Sequence, residues 1–201
     1  DWRNPWLIAV LLLALWGGWS WWRMRPLHPG PGELAPDDPV QTALDGPEQP
    51  IRLGRFTLTP RAKFDLTARV LSTEHYHLDA GAALVPEDFA LGWGRMSDSA
   101  VLKGIDVWQS GRFYYWHVRR FPIPRREIET HSANMHMIPA DDSVARALKR
   151  VRVGDVVTLD GYLVEADKPG GWRWRSSLTR DDTGDGACEV VYVKDLAIGA
   201  R

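Results

Sequence analysis

From Pro5 to Trp22 the chain reads PWLIAVLLLALWGGWSWW, 18 positions without a charge. At about 1.5 Å per helical residue this run covers roughly 27 Å, close to the hydrocarbon thickness of a bilayer. Inside hydrocarbon every peptide group must be bonded within the segment, so a lone span has to be helical. Trp2 and Trp6 stand at one end and Trp19, Trp21 and Trp22 at the other, and an indole, with its apolar body and single N–H donor, favours the membrane interface. A cleaved secretory leader would have a shorter core and a small-residue cleavage site, whereas here the tryptophans lead into RMRP. Residues 1–25 are therefore expected to form a single-pass anchor that meets the lipid bilayer through residues 5–22. Arg3 precedes the span and Arg23 and Arg25 follow it, a count that by itself favours a cytoplasmic body. A single anchor followed by a spacer commonly displays its domain outside the cytoplasm, and the periplasmic side is the expectation adopted.

Residues 26–50 contain seven prolines, three glycines and five acidic residues, with no Lys or Arg. Proline at that density forbids a regular helix, so the segment is expected as a semi-extended tether, or as a strap lying on a neighbouring membrane protein. Residues 51–201 change character. RFTLTP, FDLTARVLSTEHY, IDVWQS, RFYYWHV, DVVTLDGYLVEA, WRWRSS and CEVVYVKDLAI read as strands bounded by turn-forming residues. VPEDFALGW and DDSVARALKRV read as short helices, the first from Pro86 and its following acids, the second from a capping Asp or Ser and the terminal Lys149 and Arg150. Gly161 inside an alternating strand predicts a bulge or a sharp bend. The fold class expected is mainly β: one transmembrane helix, then a small OB-like β-barrel or sandwich with two short helices.

A net charge of -1 gives no electrostatic reason to seek nucleic acid, and no nucleic-acid partner is expected. Cys188 is the single cysteine, so no disulfide forms within the chain. The sequence names no cofactor.

The candidate chemistry is spread over four stretches. HSANMHMIPA supplies His131, Asn134 and His136; because two residues five apart share a face on neither a strand nor a helix, it is expected as a loop. EHYHL sets His75 and His77 two apart, and on a strand both imidazoles would leave one face as a metal pair, completed by His131, His136 or Cys188. Cys188 could pair with a histidine as nucleophile and base, Asn134 or Asp185 orienting the ring. Trp93, Trp108, Tyr115, Trp172 and Trp174 sit near Arg112 and Arg175, and in WRWR alternation puts rings on one face and guanidinium groups on the other, a strip suited to a glycan, a lipid head group or a protein. Asp181, Asp182 and Asp185 could meet a cation, but a solvated hairpin fits that run better.

The order of N-terminal anchor, histidine, GD strand turn and a cysteine some fifty residues later resembles the layout of sortase transpeptidases, over the last seventy or so residues. That resemblance implies Cys188 as an acyl-transfer nucleophile. Sortases carry Thr-Leu-x-Thr-Cys before the nucleophile and an arginine on a later strand, where this chain has DTGDGACE, with Arg180 before Cys188 and Lys194 and Arg201 after it. Two functions are thus expected. The favoured one is a membrane-anchored binding or accessory protein that contacts a partner subunit or envelope component beside the membrane. The other is a Cys/His acyl transferase or a metal-assisted hydrolase.

Overall fold

In the computed structural model, residues 4–182, 184 and 186–199 are described; Trp2, Arg3, Asp185 and Arg201 lie outside that set. The apolar run forms α1 (Pro5–Arg23), with Pro5 at its first turn and the Asn4 side chain accepting from the Trp6 N–H at 3.1 Å. No residue of α1 is buried, and the helix is long and apolar enough to cross a membrane.

Ten strands follow: β1 (Val40–Thr42), β2 (Ile51–Leu53), β3 (Phe56–His75), β4 (Glu87–Gly92), β5 (Asp106–Ser110), β6 (Phe113–His117), β7 (Ser132–Pro139), β8 (Val156–Lys168), β9 (Trp172–Arg175) and β10 (Glu189–Ile198). Three short helices punctuate them, α2 (Ser99–Leu102), α3 (Arg125–Thr130) and α4 (Asp142–Leu148). The protein is mainly β. Five strands pair in the order β3-β4-β7-β10-β8, and β8 pairs again with β3, which closes the pairing into a ring. The β7–β10 pair is parallel and the other four are antiparallel. β3 serves two neighbours because it runs for 20 residues and shifts register at Pro60/Ala62 and at Val70/Ser72. Pro60 is tolerated beside such an irregularity because it has no N–H to offer a ladder. Gly161 sits where β8 passes β10: a Cβ there would come within 1.9 Å of the Tyr192 carbonyl oxygen, and β10 shifts register just beyond its Val193 partner.

The central cluster takes alternate residues of the ring strands, among them Phe64, Leu66, Phe89, Leu91, Met135, Met137, Leu159, Leu163, Val191 and Val193. α4 adds Val144 and Leu148, its start fixed by Asp141, whose carboxylate accepts from Ser143 and Val144 N–H.

Three expectations are corrected. VPEDFALGW is not helical: it forms β4, buried along its whole length between β3 and β7. A strand covered on both faces loses its alternation, and the acids that imitated a first helical turn are instead met by side chains from other elements. HSANMHMIPA is not a loop: it forms β7, with all but Pro139 of its strand residues buried. The tether is not a free spacer. Ser97 Oγ accepts from Leu34 and Ala35 N–H, Asp98 accepts from Gly32 N–H, Gly94 N–H donates to the Ala35 carbonyl, and β1 pairs with β3. Proline excludes helix as expected, but the remaining peptide groups find partners on the chain's own body.

Candidate functional site

Polar and apolar residues alternate along β7. Ala133, Met135 and Met137 enter the central cluster, while Ser132, Asn134 and His136 leave by the opposite face. Above that face stands the β5–β6 hairpin, closed by Gly111 and Arg112, with Ser110 paired to Phe113. Both turn residues have positive φ, 59° and 73°, as a two-residue type I′ turn requires. Arg112 is the one non-glycine with positive φ among the described residues. A side chain there costs about 1–2 kcal/mol, and the contacts that offset it explain why the position is not glycine.

Arg112 reaches two acids. Nη1 donates to Asp88 Oδ1 at 2.9 Å, while Nε and Nη2 grip Asp79 at 2.8 and 2.9 Å. Its guanidinium lies 3.5 Å from the Tyr76 ring centre and 5.3 Å from that of Trp174. Its peptide N–H donates to Tyr76 Oη at 3.0 Å, and its carbonyl accepts from Asn134 Nδ2 at 3.0 Å. Asn134 Oδ1 in turn accepts from Gln109 Nε2 at 2.6 Å. Asp88, 0% exposed, also lies 2.9 Å from His136 Nδ1, and the His136 ring rests 4.4 Å from that of Trp174. The grip of Arg112 holds the Asp79 carboxyl below its ordinary value.

Beside this cluster opens a cleft of about 660 Å³, walled by the hairpin, α3, the start of β7 and Arg180, Asp182, Gly184, Ala187, Cys188 and Glu189. Its lip is aromatic: Trp108 and Tyr115 stack at 5.7 Å and are 46% and 44% exposed, with Phe113 and Phe121 also exposed. Its floor includes Asn134, Cys188 and Glu189. Burial pushes the Glu189 carboxyl up to about 8, opposed by the nearby charge of Arg180, whose Nε is 2.7 Å away.

The structure gathers Asn134, His136, Arg112, Trp174 and Cys188 around the hairpin tip and puts Trp108 and Tyr115 on the cleft. It does not assemble a thiol dyad. Cys188 Sγ approaches Asn134 Nδ2 at 3.8 Å and the Arg112 carbonyl at 3.9 Å, while His136 is taken up by Asp88 and Trp174. Burial pushes the Cys188 thiol up to about 12, away from the thiolate that nucleophilic chemistry needs.

The other nominees scatter. His131 caps α3, with Nδ1 against Thr130 Oγ1 and the Glu127 carbonyl and Nε2 3.7 Å from Asp38; it shares no partner with His136. Trp93 is 1% exposed and belongs to the core. Trp172 packs edge-on against Phe56 and Trp174, and Arg175 points to solvent from the other face of β9. The expected metal pair does not share a strand face, because β3 ends at His75, which pairs with Glu87, and His77 is an exposed residue beyond it. The Glu87 carboxylate raises the His75 imidazole above its ordinary value. Among the described residues no group of three or more His, Cys, Asp or Glu side chains is placed to hold a metal ion.

Asp79, Asp88, Tyr76, Arg180 and Glu189 were not nominated from sequence. Asp88 carried a usable signal, an acid set against the apolar run FALGW; Arg180 and Glu189 meet only through a fold that brings β10 beside the preceding loop. Comparison of the chain with family models, with curated proteins and with solved structures finds no match.

Proposed function

We propose that this chain is a membrane-anchored binding module, in which the five-strand ring is a small OB-like barrel and the aromatic cleft receives a partner subunit or envelope component beside the bilayer. The single observation behind this reading is the cleft itself: exposed, stacked rings at its lip over a buried polar floor, in a protein of which one helix is long enough to act as an anchor. Exposed aromatic side chains beside a concave site are the usual anchors of recognition. The placement supports the fold reading too. An OB barrel binds on the face of its second and third strands and with the loop between its fourth and fifth, and the corresponding parts here are β4, β7 and the segment joining β8 to β10, two of which line the cleft. A thiol that burial keeps protonated, and an imidazole packed beside Asp88 and Trp174 instead of against the sulfur, favour binding over acyl transfer.

A photo-crosslinking amino acid at Tyr115 or Trp108, in the full chain in its native membrane, tests the reading. The expected result is one discrete adduct from these two positions, absent when the probe replaces Tyr162 on β8, and undiminished by Cys188→Ala. Adducts that do not depend on probe position, or that vanish with Cys188→Ala, would refute it.

A further inference from the structure

The end of α1 is fastened to the body at one turn. Arg152 Nη1 donates to the Arg23 carbonyl at 3.3 Å, and Leu27 N–H donates to the Val153 carbonyl at 2.8 Å. Gly154, at φ +91°, lies so close to Leu27 that a Cβ would come within 2.2 Å of the Leu27 carbonyl oxygen, so glycine alone permits this approach. The turn after α4 is thereby held at the level where the apolar helix ends.

That level is rich in positive charge. Arg23, Arg25, Arg150 and Arg152 stand there beside one acid, Asp155, which is buried, accepts the Arg152 peptide N–H at 2.7 Å and lies 3.7 Å from the Arg152 Nε. The Arg23 and Arg25 guanidinium groups lie over the rings of Trp19 and Trp21, at 4.6 and 5.1 Å from the centres. Between helix and body is a cleft of about 410 Å³, with Trp16, Trp19, Trp22 and Arg23 on the helix side and Arg150, Arg152 and Asp155 on the other, three guanidinium groups to one carboxylate.

We infer that this junction binds the head group of an anionic phospholipid. The inference rests on the anchor reading above but not on the aromatic cleft. Two features point to this occupant. Guanidinium forks match phosphate oxygens, and tryptophan prefers the glycerol and upper acyl region that lies next to them. A free anion would use the arginines and leave the tryptophan wall without a role. A basic edge held at the head-group level also fixes which side of the body lies on the membrane.

The test uses the full chain in nanodiscs of mixed phosphatidylcholine and phosphatidylglycerol, with lipids that stay bound after release counted by native mass spectrometry. Phosphatidylglycerol is expected to be enriched on the protein. Arg150→Gln with Arg152→Gln should lower that enrichment on the order of tenfold or more, from about fivefold for each cation near a charged surface, and unchanged thermal unfolding shows that the fold is intact. Equal retention of the two lipids, equal enrichment on the double variant, or displacement of the lipid by inorganic phosphate would overturn the inference. A chain that fails to enter the nanodisc sinks the anchor reading along with it; a chain that enters without lipid preference sinks this inference alone.

Discussion

Two arginine–carboxylate groupings, each with one buried acid, Asp88 and Glu189, flank the cleft residue Asn134, and they differ in how fully each guanidinium is engaged. At the hairpin tip, Arg112 uses its fork on Asp79, a third N–H on Asp88 and its flat face on Tyr76. Its loose end is the Asp88 Oδ2 to His136 Nδ1 contact, 2.9 Å long but outside hydrogen-bond geometry. At the cleft floor, Arg180 Nε lies 2.7 Å from Glu189, yet both carboxylate oxygens and two of the Arg180 nitrogens have no hydrogen-bond partner among the described residues. The first arrangement draws an acid's titration down and the second lets burial drive one up. A buried ion pair repays its desolvation only when geometry and extra hydrogen bonds satisfy both partners. The tip is thus a latch that seats the hairpin, and the floor is the weaker and more adjustable of the two.

The largest expected effect comes from breaking the latch. Arg112→Ala leaves Asp88 buried without a cation and should cost about 3–5 kcal/mol in denaturant unfolding. Arg112→Lys should recover little of it, because one ammonium cannot serve both Asp79 and Asp88 in the same fork geometry. If Arg180→Ala costs as much as Arg112→Ala, the contrast between the two groupings collapses.

The next effect is a slope with pH. Glu189 titrates near 8 in the folded chain and near the ordinary carboxyl value, about 4.3, when unfolded. The folded state therefore holds the proton more tightly. Stability from this group is fully present below about 4.3, declines as pH rises through the window, and is gone above about 8. Each unit inside the window is worth about 1.4 kcal/mol, so at neutral pH, about one unit below the folded value, about 1.4 kcal/mol of it remains. Unfolding of Glu189→Gln, measured against pH, should lack this slope; a variant curve parallel to that of the parent chain would show that Glu189 is already ionised at neutral pH.

How much of this was legible follows from where the signals lie. The helix of α1 is written in 18 uncharged residues, and α4 in the Asp141 cap with the apolar residues after it. β7 was legible too, since S-A-N-M-H-M alternates polar and apolar with period two, but the spacing of its histidines drew attention to five residues instead of two. The tip was partly legible: Arg112 stands out as an arginine among the aromatic residues, although its place in a two-residue turn between β5 and β6 was not read from SGRF. Asp79 and Asp88 as its partners were not legible, because they reach it through β3–β4 pairing and a loop more than twenty residues upstream. The strap was hidden for the opposite reason. Proline-rich composition says what the segment cannot form, and Ser97, which holds it, is more than sixty residues away.

Cys188 lies between the two groupings and should register least. Its Sγ sits 3.8 Å from the Asn134 amide on the latch side, and its neighbour in sequence is Glu189. If its role is packing, Cys188→Ala removes one sulfur atom from a partly buried site and should cost about 1 kcal/mol. With the thiol near 12, the thiolate is roughly one part in ten thousand at pH 8, so alkylation by iodoacetamide should be far slower than for an exposed cysteine and unchanged by His136→Asn. Release of the latch gives the sharper comparison. Arg112→Ala frees the carbonyl and the hairpin that cover the sulfur, and should quicken alkylation well beyond any effect of Glu189→Gln. Rates that fall instead with His136→Asn would mean that the imidazole activates the thiol after all, and the floor of the cleft would then be a reactive centre.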